Sequence, residues 1–231
     1  TQRERESYLP GKFYIKVDST QRALRDLAKY YKKKFPIPVV ALTGSVGKTT
    51  TKDMVAAVLG EKYRVLKTEG NLNNEIGVPQ MLFRLEDSHT AAVIEMGMNH
   101  FGEISRLTRA VAPTVGLITN IGVSHIENLG SRAGILQAKL EILEGMAPDA
   151  PLIVNMDNDM LRTVKLGDRP LLTFAIDDQS ADFTATDIAE QGSTTTFTVH
   201  HSTFNQPVTI PTVGIHNVYN ALAAMAVGYV T

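Results

Sequence analysis

Short apolar runs and longer amphipathic segments alternate along most of this chain. Residues 39–43, 91–95, 115–119, 152–155 and 171–175 are near-continuous runs of Val, Ile, Leu and Ala, the pattern of strands buried on both faces. Segments 48–59, 104–110 and 133–146 lie between them with apolar residues at helical spacing. Such alternation predicts a parallel sheet covered by helices on both faces. Upstream, residues 13–17 read as a short strand. Asp18-Ser19 then offers a cap for an amphipathic helix through Leu24, Leu27, Ala28 and Tyr31, which Phe35-Pro36-Ile37-Pro38 breaks. From about Asp182 the texture changes, and residues 183–186, 194–199 and 208–210 read as strands of a small antiparallel sheet. A last helix is expected over about 217–230. The fold class is α/β: a mostly parallel sheet flanked by helices, with the small antiparallel sheet near the C-terminus.

Composition narrows the function classes. The 231 residues are 43% hydrophobic and 20% charged, ordinary for one soluble globular domain or a domain with a small appendage. A net charge of −1 gives no sign of a nucleic-acid partner. The one dense basic run, Lys32-Lys33-Lys34, falls where the first helix ends, a place that favours cations. The absence of cysteine excludes disulfides, thiolate metal sites and cysteine nucleophiles. No apolar stretch approaches the ~18 residues of a membrane span, and no signal peptide opens the chain, so a cytoplasmic protein is expected. Residues 1–11 are polar and hold Pro10-Gly11, as a linker or the edge of another domain does. The abrupt ends at Thr1 and Thr231 suggest a piece of something longer.

The strongest chemical signal is Gly44-Ser45-Val46-Gly47-Lys48-Thr49-Thr50, placed between a predicted strand and a predicted helix. Glycines let backbone N–H groups approach phosphate oxygens, the helix N-terminus adds positive potential, and a lysine reaches the β- and γ-phosphates. The hydroxyl of Thr49 is then in place to ligate magnesium. Leu42 occupies the first glycine position of the full P-loop pattern, so what remains is Gly-x-x-Gly-Lys-Thr. By chance that string arises in roughly one chain in a hundred of this length.

In open parallel sheets, ligands bind beyond the C-terminal ends of the strands. Glu95 closes an apolar strand there, either as the acidic partner of Thr49 on a metal or as a solvent-facing acid. His125 follows another strand through Asn120-Ile121-Gly122-Val123-Ser124, either as a metal or phosphate ligand or as a capping residue. Lys139 stands four residues from both Ile135 and Leu143, inside the apolar stripe of its helix. It either snorkels to the surface or is buried with a lowered pKa. A neutral buried amine can add carbon dioxide to become a carbamate, an anionic oxygen ligand suited to magnesium.

These motifs resemble the Mur ligases of bacterial cell-wall synthesis. The resemblance is carried by the phosphate loop with Thr43 before it, by Thr68-Glu69-Gly70-Asn71-Leu72-Asn73-Asn74-Glu75-Ile76-Gly77-Val78-Pro79, and by Glu95-Met96-Gly97-Met98-Asn99. It continues through Asn120–His125, Ala138-Lys139-Leu140-Glu141-Ile142 and Gly214-Ile215-His216-Asn217-Val218-Tyr219-Asn220-Ala221. Within the family, the string at Glu95 points to the member that adds D-alanyl-D-alanine to UDP-N-acetylmuramoyl-tripeptide. The resemblance implies that Gly44, Ser45, Val46, Gly47, Lys48, Thr49 and Thr50 hold ATP, with Lys48 on the β- and γ-phosphates. It implies one Mg2+ on Thr49 and Glu95 and a second on His125 and carbamylated Lys139. Lys48, His125 and Lys139 form the implied catalytic set. Asn217 and Asn220 would approach adenine, or simply cap their helix; Asn73 and Asn74 would line the muramoyl-substrate side, or simply form a turn.

The implied chemistry passes the γ-phosphoryl group to the tripeptide carboxylate, after which the dipeptide amine attacks the acyl phosphate and phosphate leaves. On this reading residues 1–35 are a remnant of an N-terminal domain with its linker, residues 36–231 are the central ATP-binding domain, and a C-terminal domain is absent. Such a piece is expected to be a monomer that binds ATP without turning over. A folylpolyglutamate synthase-like or other Mur-type ligase is an alternative. So is a noncatalytic ATP-binding module, which would have no need of Glu95, His125 and Lys139 together.

Overall fold

The computed structural model describes residues 8–231, so the first seven residues of the polar stretch read as a linker lie outside the described residues. One nine-stranded sheet organises the rest. Its strands are β1 (Val39–Thr43), β2 (Val65–Lys67), β3 (Ala91–Glu95), β4 (Val115–Ile118), β5 (Leu152–Asn155), β6 (Leu171–Ala175), β7 (Phe183–Gln191), β8 (Thr194–His201) and β9 (Phe204–Ile210). The spatial order is β2-β3-β1-β4-β5-β6-β7-β8-β9. Pairing is parallel from β2 through β7 and antiparallel for β7-β8 and β8-β9. The C-terminal antiparallel strands thus extend the parallel sheet, joined to it at Phe174–Phe183 and Ala175–Thr184.

Every residue of β1 is buried, and alternate side chains serve two separate cores. Val39 and Ala41 face a layer formed by α1 (Thr20–Lys32), α3 (Gly77–Leu82), α4 (Glu103–Val111) and α6 (Arg132–Leu140). Val40 and Leu42 face α2 (Lys48–Gly60) and α7 (Ile215–Val230) on the other side. A strand covered on both faces has no polar position to spare, so the run reads as continuously apolar. A short helix, α5 (Ile126–Leu129), follows the loop after β4.

The described structure corrects several local expectations. Residues 13–17 form no strand; Phe13 and Ile15 are exposed and the segment stays outside the nine-stranded sheet. An apolar run becomes a strand only where a sheet edge takes its backbone bonds. The helix expected over 133–146 splits into α6 and a 3₁₀ turn at Glu141–Gly145. Contacts to α4 tighten that last turn. Thr108 Oγ1 donates to Ile142 O at 2.7 Å, and a Cβ on Gly145 would lie 2.2 Å from the Thr108 carbonyl. The Glu141 carboxylate accepts from the N–H groups of Gly102 and Ser105 at the start of α4, at 2.7 and 3.1 Å. No pattern announces β2 or α3, which are three and six residues long. Ser19 does cap α1, accepting from Arg22 N–H at 3.2 Å.

Candidate nucleotide and metal site

The phosphate loop sits where β1 gives way to α2. Gly47 has φ of 78°, a left-handed conformation that an L side chain resists, and it caps the helix. Gly44 is required for a different reason: a Cβ there would lie 2.0 Å from Thr119 Oγ1, at the end of the neighbouring β4. The first helical bond runs from Thr51 N–H to Gly47 O at 3.0 Å, so the amides of residues 47–50 precede the bonded turn. Asn120 pins the front of the loop. Its Oδ1 accepts from Ser45 N–H and Val46 N–H, both at 3.0 Å, and its Nδ2 donates to Val46 O at 2.9 Å. Gly122 N–H adds a bond to Ser45 Oγ at 2.8 Å.

Lys48 folds back on this loop, its Nζ donating to Gly44 O at 2.9 Å. Burial lowers its pKa, and the nearby negative charge of Glu95 partly opposes the shift. Glu95 is 2% exposed and ends β3 in register with Leu42 of β1. It accepts from Thr49 Oγ1 at 3.3 Å and from Asn73 Nδ2 at 2.8 Å. Thus Thr49, Glu95 and Asn73 meet beside the loop, and the solvent-facing reading of Glu95 fails. Asn74 instead shapes the turn before α3, its Oδ1 accepting from the N–H groups of Ile76 and Gly77.

Lys139 is buried, only 3% exposed, so it does not snorkel. Desolvation, and after it the like charge of Lys48, bring its pKa down to about 7. The two amines therefore sense each other across the site, one on α2 and one on α6. His125 is half-buried, takes φ of 65° and opens α5. Its loop lies along the phosphate loop, Ser124 Oγ donating to Ser45 O at 3.4 Å. Among the described residues no hydrogen bond joins His125 to Glu95 or Lys139.

A cleft of about 480 Å³ runs from Val46, Gly47 and Thr50 to Phe174, Tyr219 and Asn220. Asn220 accepts from Thr51 Oγ1 at 2.8 Å and so ties α7 to α2. Asn217 is committed to its own helix start, where Nδ2 donates to Thr212 Oγ1 and Val213 O at 2.9 and 2.7 Å. Several residues of this region, among them Asn120, Asn155 and Tyr219, were given no role by the sequence. Asn120 and Asn155 are polar residues where apolar runs stop, the same signal that marks Glu95, and Tyr219 lies in the segment Gly214–Ala221 without an obvious chemical task.

The donor set fits one hard cation at Thr49 and Glu95, a hydroxyl and a carboxylate side by side next to the phosphate loop. Among the described residues no three His, Asp or Glu side chains cluster as a metal site. Among the described residues no further carboxylate is placed with His125 and Lys139 to form such a cluster. No described helix is long and apolar enough to cross a membrane.

Known proteins share this fold. Residues 42–228 match the family model of the Mur ligase middle domain. The chain is 44% identical over 224 residues to the UDP-N-acetylmuramoyl-tripeptide–D-alanyl-D-alanine ligase of Bacillus subtilis, covering 93% of this chain and 46% of that protein. MurF from Acinetobacter baumannii superposes with a TM-score of 0.87 at 38% identity, over 92% of this chain and 47% of that one. The MurF ligase from Thermotoga maritima, in complex with ADP, superposes with a TM-score of 0.88 at 26% identity, over 97% of this chain and 52% of that one. The chain spans about half the length of the relatives it matches. With the model matched over most of its residues, the chain belongs to the Mur ligase family and carries that family's middle domain.

Proposed function

We propose that this chain is the ATP-binding part of a ligase that joins D-alanyl-D-alanine to UDP-N-acetylmuramoyl-tripeptide. The observation that carries the reading is the meeting of Thr49 and Glu95 at the phosphate loop, with Lys48 and buried Lys139 facing the same place. The relatives at about 40% identity bear that activity in their names, and one solved neighbour holds ADP. Residues 1–35 are read as the tail of a preceding domain and its linker, and 36–231 as the catalytic middle.

Lys48 leaves Gly44 O to bind the β- and γ-phosphates, and the amides of residues 47–50 face the same oxygens. Thr49 and Glu95 would hold one Mg2+, with Asn73 fixing the second oxygen of Glu95. His125 and Lys139, as its carbamate, would hold another. Bound cations neutralise charge that builds on the phosphoryl oxygens. The tripeptide carboxylate attacks the γ-phosphorus and ADP leaves. The dipeptide amine then attacks the acyl carbon, the bond from that carbon to the phosphate oxygen breaks with its electron pair leaving on phosphate, and the amine's proton passes to solvent. Lys48 stabilises the negative charge of both steps, and no side-chain nucleophile is needed.

The whole protein carrying this chain is expected to release phosphate from ATP only when both the tripeptide and D-alanyl-D-alanine are present. Release driven equally well by a single amino acid would assign it to another ligase of the family. Lys139→Ala is expected to abolish that release, with partial rescue by added short carboxylic acids. An unaffected variant would remove Lys139 from the chemistry, and a wild-type protein that binds ATP but releases no phosphate with both substrates would favour a noncatalytic ATP-binding module.

A further inference from the structure

The cleft beside the phosphate loop is walled by the end of β5, the end of β6, which the sheet pairs with it, and the first turns of α7, which the sheet does not hold. Asp157, two residues beyond β5, joins all three. Its carboxylate accepts from the N–H groups of Ile176, Asp177 and Asp178, just after β6, at 2.6, 2.9 and 2.9 Å. It also accepts from the Tyr219 hydroxyl of α7 at 2.8 Å. Its own N–H donates to Asn155 Oδ1 at 2.9 Å, which orients that side chain at the cleft. Burial acts to raise the carboxyl pKa, but the three backbone bonds and the tyrosine together hold it below the usual range. Tyr219 responds in the opposite sense: desolvation and the bond to Asp157 raise its pKa, so the phenol keeps its proton and remains a donor.

The contents of the cleft separate by chemistry. Its phosphate end is the glycine loop at Val46 and Gly47 with Thr50 behind it. Its far end is Phe174, Ala223 and the half-buried ring of Tyr219, with Asn155 beside them. An aromatic-lined end with one amide is suited to a flat heterocycle. Asn120, Asn158 and Asn220 also line the cleft but have both ends of their amides committed within the protein, whereas Asn155 has its Oδ1 engaged by Asp157 N–H.

We propose that Asp157 is a positioning residue for the nucleoside half of the ligand, setting the Tyr219 wall of the cleft while leaving the phosphate end untouched. The inference rests on the nucleotide reading above and adds a residue and a division of labour to it. Because Asp157 acts through Tyr219 and the turn at residues 176–178, its removal should separate base affinity from phosphate affinity.

The test is calorimetric titration of ATP and of inorganic tripolyphosphate, each with magnesium, into the wild-type chain, Asp157→Asn and Tyr219→Phe. Both variants are expected to weaken ATP about tenfold, the size of one charge-assisted hydrogen bond, and to bind tripolyphosphate within about twofold of wild type. Tyr219→Phe removes one hydroxyl and leaves the three backbone bonds of Asp157 in place, so it carries the test alone should Asp157→Asn fail to fold. Equal weakening of both ligands would show a merely structural role and overturn the inference, as would unchanged binding of ATP. A wild-type chain that binds neither ligand overturns the nucleotide reading itself.

Discussion

Lys139 is held where an ammonium is least at ease: 3% exposed, beside another lysine, with a pKa of about 7. In the unfolded chain the same group titrates near 10.5. Between pH 7 and 10.5 the unfolded state therefore holds a proton that the folded state has released. Stability must rise with pH across that window, by at most about 1.4 kcal/mol per pH unit. Below pH 7 both states are protonated and the full cost of the buried charge remains. Lys139→Met is expected to lose that rise and to be the more stable protein at pH 7 in carbon-dioxide-free buffer. Urea denaturation at pH 7, 8 and 9 measures it; parallel slopes in the two proteins would mean the amine is not buried in solution. The sequence placed Lys139 within an apolar stripe but left its direction open. Which way a side chain inside such a stripe turns depends on what packs over it, which helical periodicity does not encode. Glu95 was legible because an acid ending a continuous apolar run stands out. Its partner Asn73 was visible only through family motifs, since an Asn in a Gly/Asn-rich loop is ordinarily turn chemistry.

At the scale of elements, the strands buried on both faces and their intervening helices were readable because each satisfies one period throughout. The pieces that were missed, β2 and α3, are short, and their existence depends on neighbours. Glu75 shows how such neighbours are held. It lies in the loop before α3, yet accepts from Arg25 on α1 at 2.9 Å and from Gln21 at 3.2 Å, and pairs with Arg106 on α4. Both Arg25 and Glu75 are mostly buried, with side chains 17% and 18% exposed. Glu75→Ala leaves those cations without their shared acceptor and is expected to cost about 1–3 kcal/mol. By contrast, Arg22→Ala breaks a pair with Asp26 that is exposed on both sides and should cost under about 1 kcal/mol. Thermal or urea unfolding of the two variants checks this; equal effects would mean that α1 is not anchored through Glu75.

At the scale of the whole molecule, the sheet brings the C-terminal ends of β1, β3 and β4 side by side, and the loops leaving them build one site from residues up to about ninety positions apart in sequence. That convergence followed from the parallel order once the strands were recognised. The continuation of the sheet into β7–β9 did not, because alternating strands could equally have formed a layer of their own. The chain spans about half of its relatives, and these 231 residues by themselves are expected to bind Mg–ATP and to release no phosphate when both peptide substrates are added. The most direct measurement of the central claim is a crystal structure of the chain grown with magnesium and a non-hydrolysable ATP analogue. It should place the terminal phosphate against Lys48, a metal about 2.0–2.1 Å from oxygens of Thr49 and Glu95, and carbamate density on Lys139. A nucleotide bound away from Gly44–Lys48, or a metal that touches neither Thr49 nor Glu95, would contradict it.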